Sequence, residues 1–307
     1  MKKKYLLLSL ICLTSCNVDH STLKIVCPTG APALAFYNNV ENANFETNST
    51  PSNIVSMMNG NSNYDIVVID TVSGIKAINN GANFKLAATL TFGNFYLAAT
   101  GNDENSTLDK DDVVILFGQN QTPDLLFNKI YGEGYNVEYV TNVQDAAKCL
   151  ASGKNMITKS TVDYVFIAQP ALYTILNNKD ALTYGNASVY ANIQEEYKKI
   201  TNYDLVQASL FVNVNSDSKM VDSFLKDLEK DINNLLENPS LLSDKIDFTS
   251  QELSSKYGVN FKACEQLLND DNAIGLGYKK AIDNKENIDN FISLFNLGTT
   301  NEEIYYK

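Results

Sequence analysis

Arginine is missing from this 307-residue chain, whose 24 basic residues are all lysine. The planar guanidinium is the usual two-pronged clamp on carboxylates and phosphates, so capture of a free amino acid through an arginine fork is excluded. Codon bias accounts for part of the absence and does not alter its chemical consequence. Histidine occurs once, at His20, which reads as a solvated residue of a polar linker. With one imidazole and no cysteine pair at ligand spacing, neither a transition-metal site nor a cofactor is expected. A basic stripe is also lacking. The formal net charge is −12, which argues against nucleic acid as a partner. Neither G-x-S-x-G nor a glycine-rich phosphate loop is present, and the acidic neighbours Asp111-Asp112, Glu195-Glu196 and Asp270-Asp271 read as solvated surface. No activated nucleophile or tuned base is legible, and the chain is not expected to be an enzyme. No apolar run approaches the ~20 residues needed to cross a hydrocarbon core.

What is present begins with an address. Lys2, Lys3 and Lys4 precede the apolar stretch 5–12, and Leu13-Thr14-Ser15-Cys16 follows. This order of charged segment, apolar segment and cleavage box predicts a signal peptide over residues 1–16. The box resembles the bacterial lipobox at its four positions. Cys16 is then the lipid-modified first residue of the mature chain, and 17–21 is a polar tether to the outer face of a cell membrane. The alternative is an ordinary secretory signal in which Cys16 is incidental. Cys12 leaves with the signal. Cys27, Cys149 and Cys264 are read as buried free thiols, one disulfide with a leftover thiol being the alternative.

The remaining chain is long enough for two compact lobes. An apolar run at 23–27 ends in Pro28-Thr29-Gly30, and Pro32 opens a helical pattern, a position where proline forfeits no hydrogen bond. The same grammar returns at Val113–Phe117, the turn 118–122 and the helix opened by Pro123. Between them, a helix at 51–59, a strand at 65–69, a helix at 72–80 and a strand at 84–90 alternate. Further on come a strand at 136–140, a helix at 143–152 and a strand at 164–168. Strands without strict polar alternation suggest sheets covered on both faces, as parallel sheets are built. From 218 onward helical patterning dominates, with few strands. The expected class is α/β: a first lobe of 21–96 plus 209–307, a second of 97–208, and a helical C-terminal extension. Two crossings between lobes make a hinge, and ligands of such chains sit between the lobes.

Four segments in order, Pro28-Thr29-Gly30-Ala31-Pro32-Ala33, Asp65-Ile66-Val67-Val68, residues 85–97 and Ile167-Ala168-Gln169-Pro170-Ala171-Leu172, carry a family resemblance over about residues 23–240. The chain resembles the substrate-binding proteins of ABC importers, in the nitrate/sulfonate/taurine-like group of the type II periplasmic-binding-protein fold. The resemblance implies a monomer that captures a small molecule and hands it to a membrane permease. It also implies ligand contacts on the loops after the strands. These are Thr29, Gly30, Ala31 and Pro32, where backbone N–H groups at a helix start suit an anion or carbonyl oxygen; Asp70 and Thr71; Thr91, Phe92, Gly93 and Asn94 at the first crossing; Gln119, Asn120, Gln121 and Thr122; and Gln169. Each group has a plainer reading: a helix cap for 29–32 and Asp70, hinge geometry for Gly93, surface solvation for 119–122. Gln169 stands where many relatives carry Glu, which implies hydrogen bonding to a neutral or heterocyclic guest rather than charge balance. Sulfonates, nitrate and pyrimidines follow from the resemblance alone. Two alternatives stand beside transport: a surface lipoprotein with an adhesion or signalling role, and an enzyme on the same fold.

Overall fold

The computed structural model describes residues 19–101 and 107–307; the expected signal peptide and Cys16 lie outside them. In chain order, β1 (Ile25–Pro28) leads through a 3-10 helix (Ala31–Asn39) to β2 (Phe45–Asn48), α1 (Pro51–Met58), β3 (Ile66–Asp70), α2 (Thr71–Asn79) and β4 (Phe84–Thr91). The chain then crosses to β5 (Phe95–Thr100), β6 (Val113–Phe117), α3 (Thr122–Tyr131), β7 (Asn136–Val140), α4 (Val143–Ser152), β8 (Tyr164–Ala168), α5 (Ala171–Leu176), β9 (Ala187–Asn192) and α6 (Ile193–Thr201). It returns as β10 (Ala208–Asn213) and continues through α7 (Ser218–Glu237), α8 (Leu241–Lys245), α9 (Gln251–Tyr257), α10 (Phe261–Asn269), β11 (Leu276–Lys280) and α11 (Lys285–Ser293).

Two sheets result, ordered β11-β4-β10-β3-β1-β2 and β7-β6-β8-β5-β9. The α/β class expected from the sequence is what is found. Successive residues of a strand point to opposite faces, and here both faces meet apolar layers. In the first sheet Val68 and Leu210 face the 3-10 helix and α7–α10, while Val67 and Phe211 face α1, α2 and α11. In the second, Leu116 and Phe166 face one core and Ile115 and Ile167 the other. Two-sided burial explains the missing polar alternation, but the sheets are mixed rather than parallel. β1 runs parallel to β2 and β3, whereas β10 is antiparallel to both β3 and β4. Likewise β6 runs parallel to β7 and β8, and β5 is antiparallel to β8 and β9.

Other expectations are corrected. The helical pattern opened by Pro32 closes as a 3-10 helix with a kink at Phe36. The crossing falls at residues 92–94, so Tyr96, assigned to the first lobe from sequence, pairs with Ile167 and Asn192 in the second sheet. Ala208, assigned to the second lobe, opens β10 in the first. His20 is not a free linker residue: its Nε2 lies 2.9 Å from Asp227 Oδ2 and its ring meets Phe224 edge-on. Cys27, Cys149 and Cys264, by contrast, are the buried free thiols that the sequence reading expected. Among the described residues no helix is long and apolar enough to cross a membrane.

Several helices begin at their own side-chain caps. Asp70 accepts from Ser73 N, Asn142 from Asp145 N, Asp217 from Lys219 N and Met220 N, and Asn260 from Ala263 N. Each satisfies donors that a first helical turn leaves open. α2 lies close on the sheet because Gly74 has no side chain where the Phe211 ring sits.

Candidate functional site

A cavity of about 1080 Å³ opens between the two sheets. Its walls are strand-end loops of both, and its floor includes the two crossings, with Asn94 ahead of β5 and Gln207 ahead of β10. Most of its lining is amide, hydroxyl or apolar; the charged residues on it are Asp70 and Lys76.

Of the residues singled out from the sequence, Thr29, Gly30, Ala31, Pro32, Asp70, Asn94, Asn120, Gln121, Thr122 and Gln169 line this cavity. The loop at 28–32 is locked from behind. Gly30, at φ +103°, donates its N–H to Tyr257 O at 2.8 Å, Tyr257 Oη donates to Phe36 O at 3.0 Å, and Thr29 packs on Gly258. The positive φ is why glycine stands there. Thr29 N bonds Asn48 O at 3.3 Å, Ala33 N bonds Gly30 O at 3.1 Å, and Pro32 has no N–H. The anion seat expected on this loop is therefore largely occupied by the protein's own carbonyls.

Asp70 is both a cleft residue and the α2 cap, accepting from Ser73 N at 2.8 Å. Burial raises its carboxyl above the ordinary carboxylate range, opposed by the Ser73 hydrogen bonds and the Lys76 charge. Behind the opposite wall, which Asn120, Gln121, Thr122 and Pro123 form, Asp124 is 4% exposed and accepts from Asn120 N at 2.8 Å, Asn128 Nδ2 at 2.9 Å and Tyr139 Oη at 3.1 Å. Gln169 Oε1 accepts from Tyr173 N at 2.9 Å, and Gln169 O receives Asn94 Nδ2 at 2.8 Å. Asn94 thus ties the first crossing to the end of β8.

Five expected residues lie elsewhere. Thr71 is fully buried, its hydroxyl 2.7 Å from Ser209 Oγ. Thr91 is buried in β4 and accepts from Ala208 N at 3.1 Å. Phe92 borders a smaller hollow of about 350 Å³ behind the crossing, where Gly93 lies beneath Gln194 and beside Gly275. Gln119 is exposed outside the cavity. The cause is geometric: one residue's step along a strand or turn reverses the side chain's direction.

Sequence reasoning missed Lys76, Gln207 and the face of α9 with Gln251, Ser254 and Ser255, all in the cavity wall. Gln207 carried a usable signal, since it precedes an apolar return run as Asn94 precedes β5. For α9 no local signal exists; the Gly30–Tyr257 bond brings it in. Among the described residues no group of three His, Cys, Asp or Glu is placed to hold a metal ion.

No protein-family model matches this chain, and no curated protein matches it in sequence. Solved structures do. The chain is similar to an ABC transporter protein from Parabacteroides distasonis, at 15% identity over 94% of this chain and 99% of that one, with a TM-score of 0.71. It is similar to the periplasmic aliphatic sulphonate binding protein SsuA from Escherichia coli, at 11% identity over 93% and 92% of the two chains and a TM-score of 0.60. A third is the ligand binding component of an ABC-type import system from Staphylococcus aureus, solved with zinc bound, at 10% identity over 93% and 96% and a TM-score of 0.60. Identities this low establish the fold: the two-sheet arrangement is the periplasmic-binding-protein fold.

Proposed function

We propose that this protein is an extracytoplasmic solute-binding lipoprotein that captures a small molecule between its two lobes and delivers it to the permease of an ABC importer. The observation that carries the reading is the 1080 Å³ cavity walled by loops of both sheets and floored by the two chain crossings. A molecule held there touches both halves, so it favours the closed arrangement to the extent that it contacts each. Closure then presents a distinct surface to a membrane partner without covalent chemistry. The polar lining supports capture over a scaffold role, because a cleft kept only for shape has no need of convergent amides and hydroxyls. The cavity's two charged groups, Asp70 and Lys76, are a helix cap and a helix-end ammonium, and neither histidine nor cysteine is among the described lining residues, which supports binding over catalysis. Lipid on Cys16 would hold the protein at the membrane's outer face, as a monomer.

The test is a thermal-shift and native mass-spectrometry screen of the chain from Asn17 against sulfonates, nitrate, vitamins, nucleobases, sugars, amides and amino acids. A ligand at a hundred times its dissociation constant adds about 2.7 kcal/mol to stability. Silence across the whole panel, with no ligand co-purified, overturns the reading. Cys16→Ser tests the anchor separately: the full chain is expected to move from the membrane fraction to the soluble one.

A further inference from the structure

The cleft's polarity is lopsided. Where strands end and helices begin, a fold of this kind has free N–H groups to offer an anion. Here the protein's own acceptors occupy those places. Asp70 holds Ser73 N, the buried Asp124 carboxylate holds Asn120 N, Gln169 Oε1 holds Tyr173 N, and the Gly30 N–H belongs to Tyr257 O. An incoming sulfonate or nitrate carries only acceptors and would meet the Asp70 carboxylate. Lys76, the ammonium of the lining, already interacts with the Asp70 charge and lies 5.7 Å from the centroid of the Phe295 ring.

Acceptors, by contrast, are left without partners at the floor. Asn94 is 4% exposed, and its Nδ2 donates to Gln169 O, a carbonyl that can only accept. That bond fixes the amide's orientation, leaving Asn94 Oδ1 buried without a partner. Gln207 Oε1 is also buried without a partner. The Gln207 backbone is engaged on both sides, N to Thr91 O and O to Thr71 N, each at 3.0 Å, so the sheet has no use for its side-chain amide. Buried acceptors lacking donors are disfavoured in a folded protein. Both residues line the same cavity, one on each crossing: the Asn94 acceptor is fixed by its bond to Gln169 O, and the Gln207 amide, which no hydrogen bond orients, can turn its oxygen to the same guest.

Resting on the binding reading above, we infer that the ligand is a neutral or cationic nitrogen compound whose N–H groups donate to Asn94 Oδ1 and Gln207 Oε1, and that oxyanions are turned away. Phe95, Phe117 and Phe295 give the body of such a molecule flat apolar walls.

The experiment is calorimetric titration of the chain from Asn17, which contains every described element, with three sets of compounds. These are N–H donors (purines, pyrimidines, primary amides and amines), hydroxyl donors (sugars and polyols), and oxyanions (alkanesulfonates, phosphonates and nitrate). Binding is expected in the first set. Gln207→Leu is expected to weaken it at least tenfold while the ligand-free variant unfolds at the same temperature or higher, because an unpartnered buried oxygen has been removed. Gln207→Glu keeps an acceptor and is expected to bind within threefold of the parent. Binding confined to oxyanions or to sugars overturns the inference and leaves the solute-binding reading standing, as does a Gln207→Leu variant of unchanged affinity. Absence of binding in all three sets overturns the reading beneath it.

Discussion

Replacing Gly74 by alanine sets two effects of opposite sign against each other. Glycine inside a helix is worse than alanine by about 1 kcal/mol, so propensity alone favours the change. The structure opposes it. A Cβ at position 74 would stand 2.1 Å from Phe211 Cζ, 2.3 Å from Cε2 and 2.7 Å from Cε1. The ring cannot yield easily, because Phe211 is fully buried in β10 with strands on either side. Overpacking of this kind costs about 1–3 kcal/mol, and three ring atoms inside contact distance place it at the upper end. The net expectation is a loss of about 2 kcal/mol, seen as a fall in melting temperature of roughly 4 °C. α2 should lift from the sheet, moving Asp70, Ser73 and Lys76 in the cleft wall and weakening ligand binding. Phe211→Leu alone should cost about 1–2 kcal/mol, but it opens the space that the new methyl needs. The double variant should therefore be more stable than the sum of the singles by about 1–2 kcal/mol. Urea and thermal unfolding of all four proteins measures this. A Gly74→Ala protein as stable as the parent, or strict additivity, refutes the reasoning.

Two further outcomes are expected. Asp289, its side chain 17% exposed, accepts from Thr300 N at 2.7 Å, from Thr300 Oγ1 at 2.6 Å and from Lys285 Nζ, clasping the C-terminal segment to α11. Burial pushes its carboxyl up, but the Lys285 and Thr300 bonds more than offset this and hold it below the usual range. Asp289→Asn should therefore cost about 2 kcal/mol at pH 7. A depressed folded-state value means the stabilisation is complete above the unfolded carboxylate range and fades as pH falls through the folded one. Parent and variant curves should start to converge below about pH 4, and a gap constant with pH would count against this origin. Burial also pushes the Cys27, Cys149 and Cys264 thiols up. In the chain from Asn17 a thiol-reactive disulfide reagent should find no fast-reacting group at pH 8 and all three only after unfolding. A rapid stoichiometric reaction in the native state would contradict that burial.

Where an element carries its own signature, the sequence reading and the structure agree to the residue. β6, β7, α4 and β8 are apolar or amphipathic runs closed by turn residues, and each occupies the span read from its pattern. Of the strands not read from the sequence, β5 and β10 are central and adjoin the two crossings, whereas β2, β9 and β11 are edges. An edge strand pairs on one side and can be short and polar, as in Phe45-Glu46-Thr47-Asn48, so it lacks the apolar density that marks a central strand. The cavity divides the same way. Residues at strand ends, from Thr29 to Gln169, were legible because position along the chain places them. Lys76, Gln207 and the α9 serines reach the cavity through tertiary approach, which no local pattern encodes.

The first sheet also dictates an order of assembly. Residues up to Thr91 supply β1, β2, β3 and β4, but β3 and β4 do not touch; the strand between them is β10, residues 208–213. A chain emerging from the ribosome must therefore hold two strand edges unjoined while the whole intervening half is made. Pairing across so long a loop is entropically slow. β11, at 276–280, then completes the outer edge on β4. Without residues 208–213 the N-terminal half of this sheet lacks the strand that joins β3 to β4, and a chain cut before residue 208 is expected to behave as an aggregation-prone fragment, not as a smaller domain.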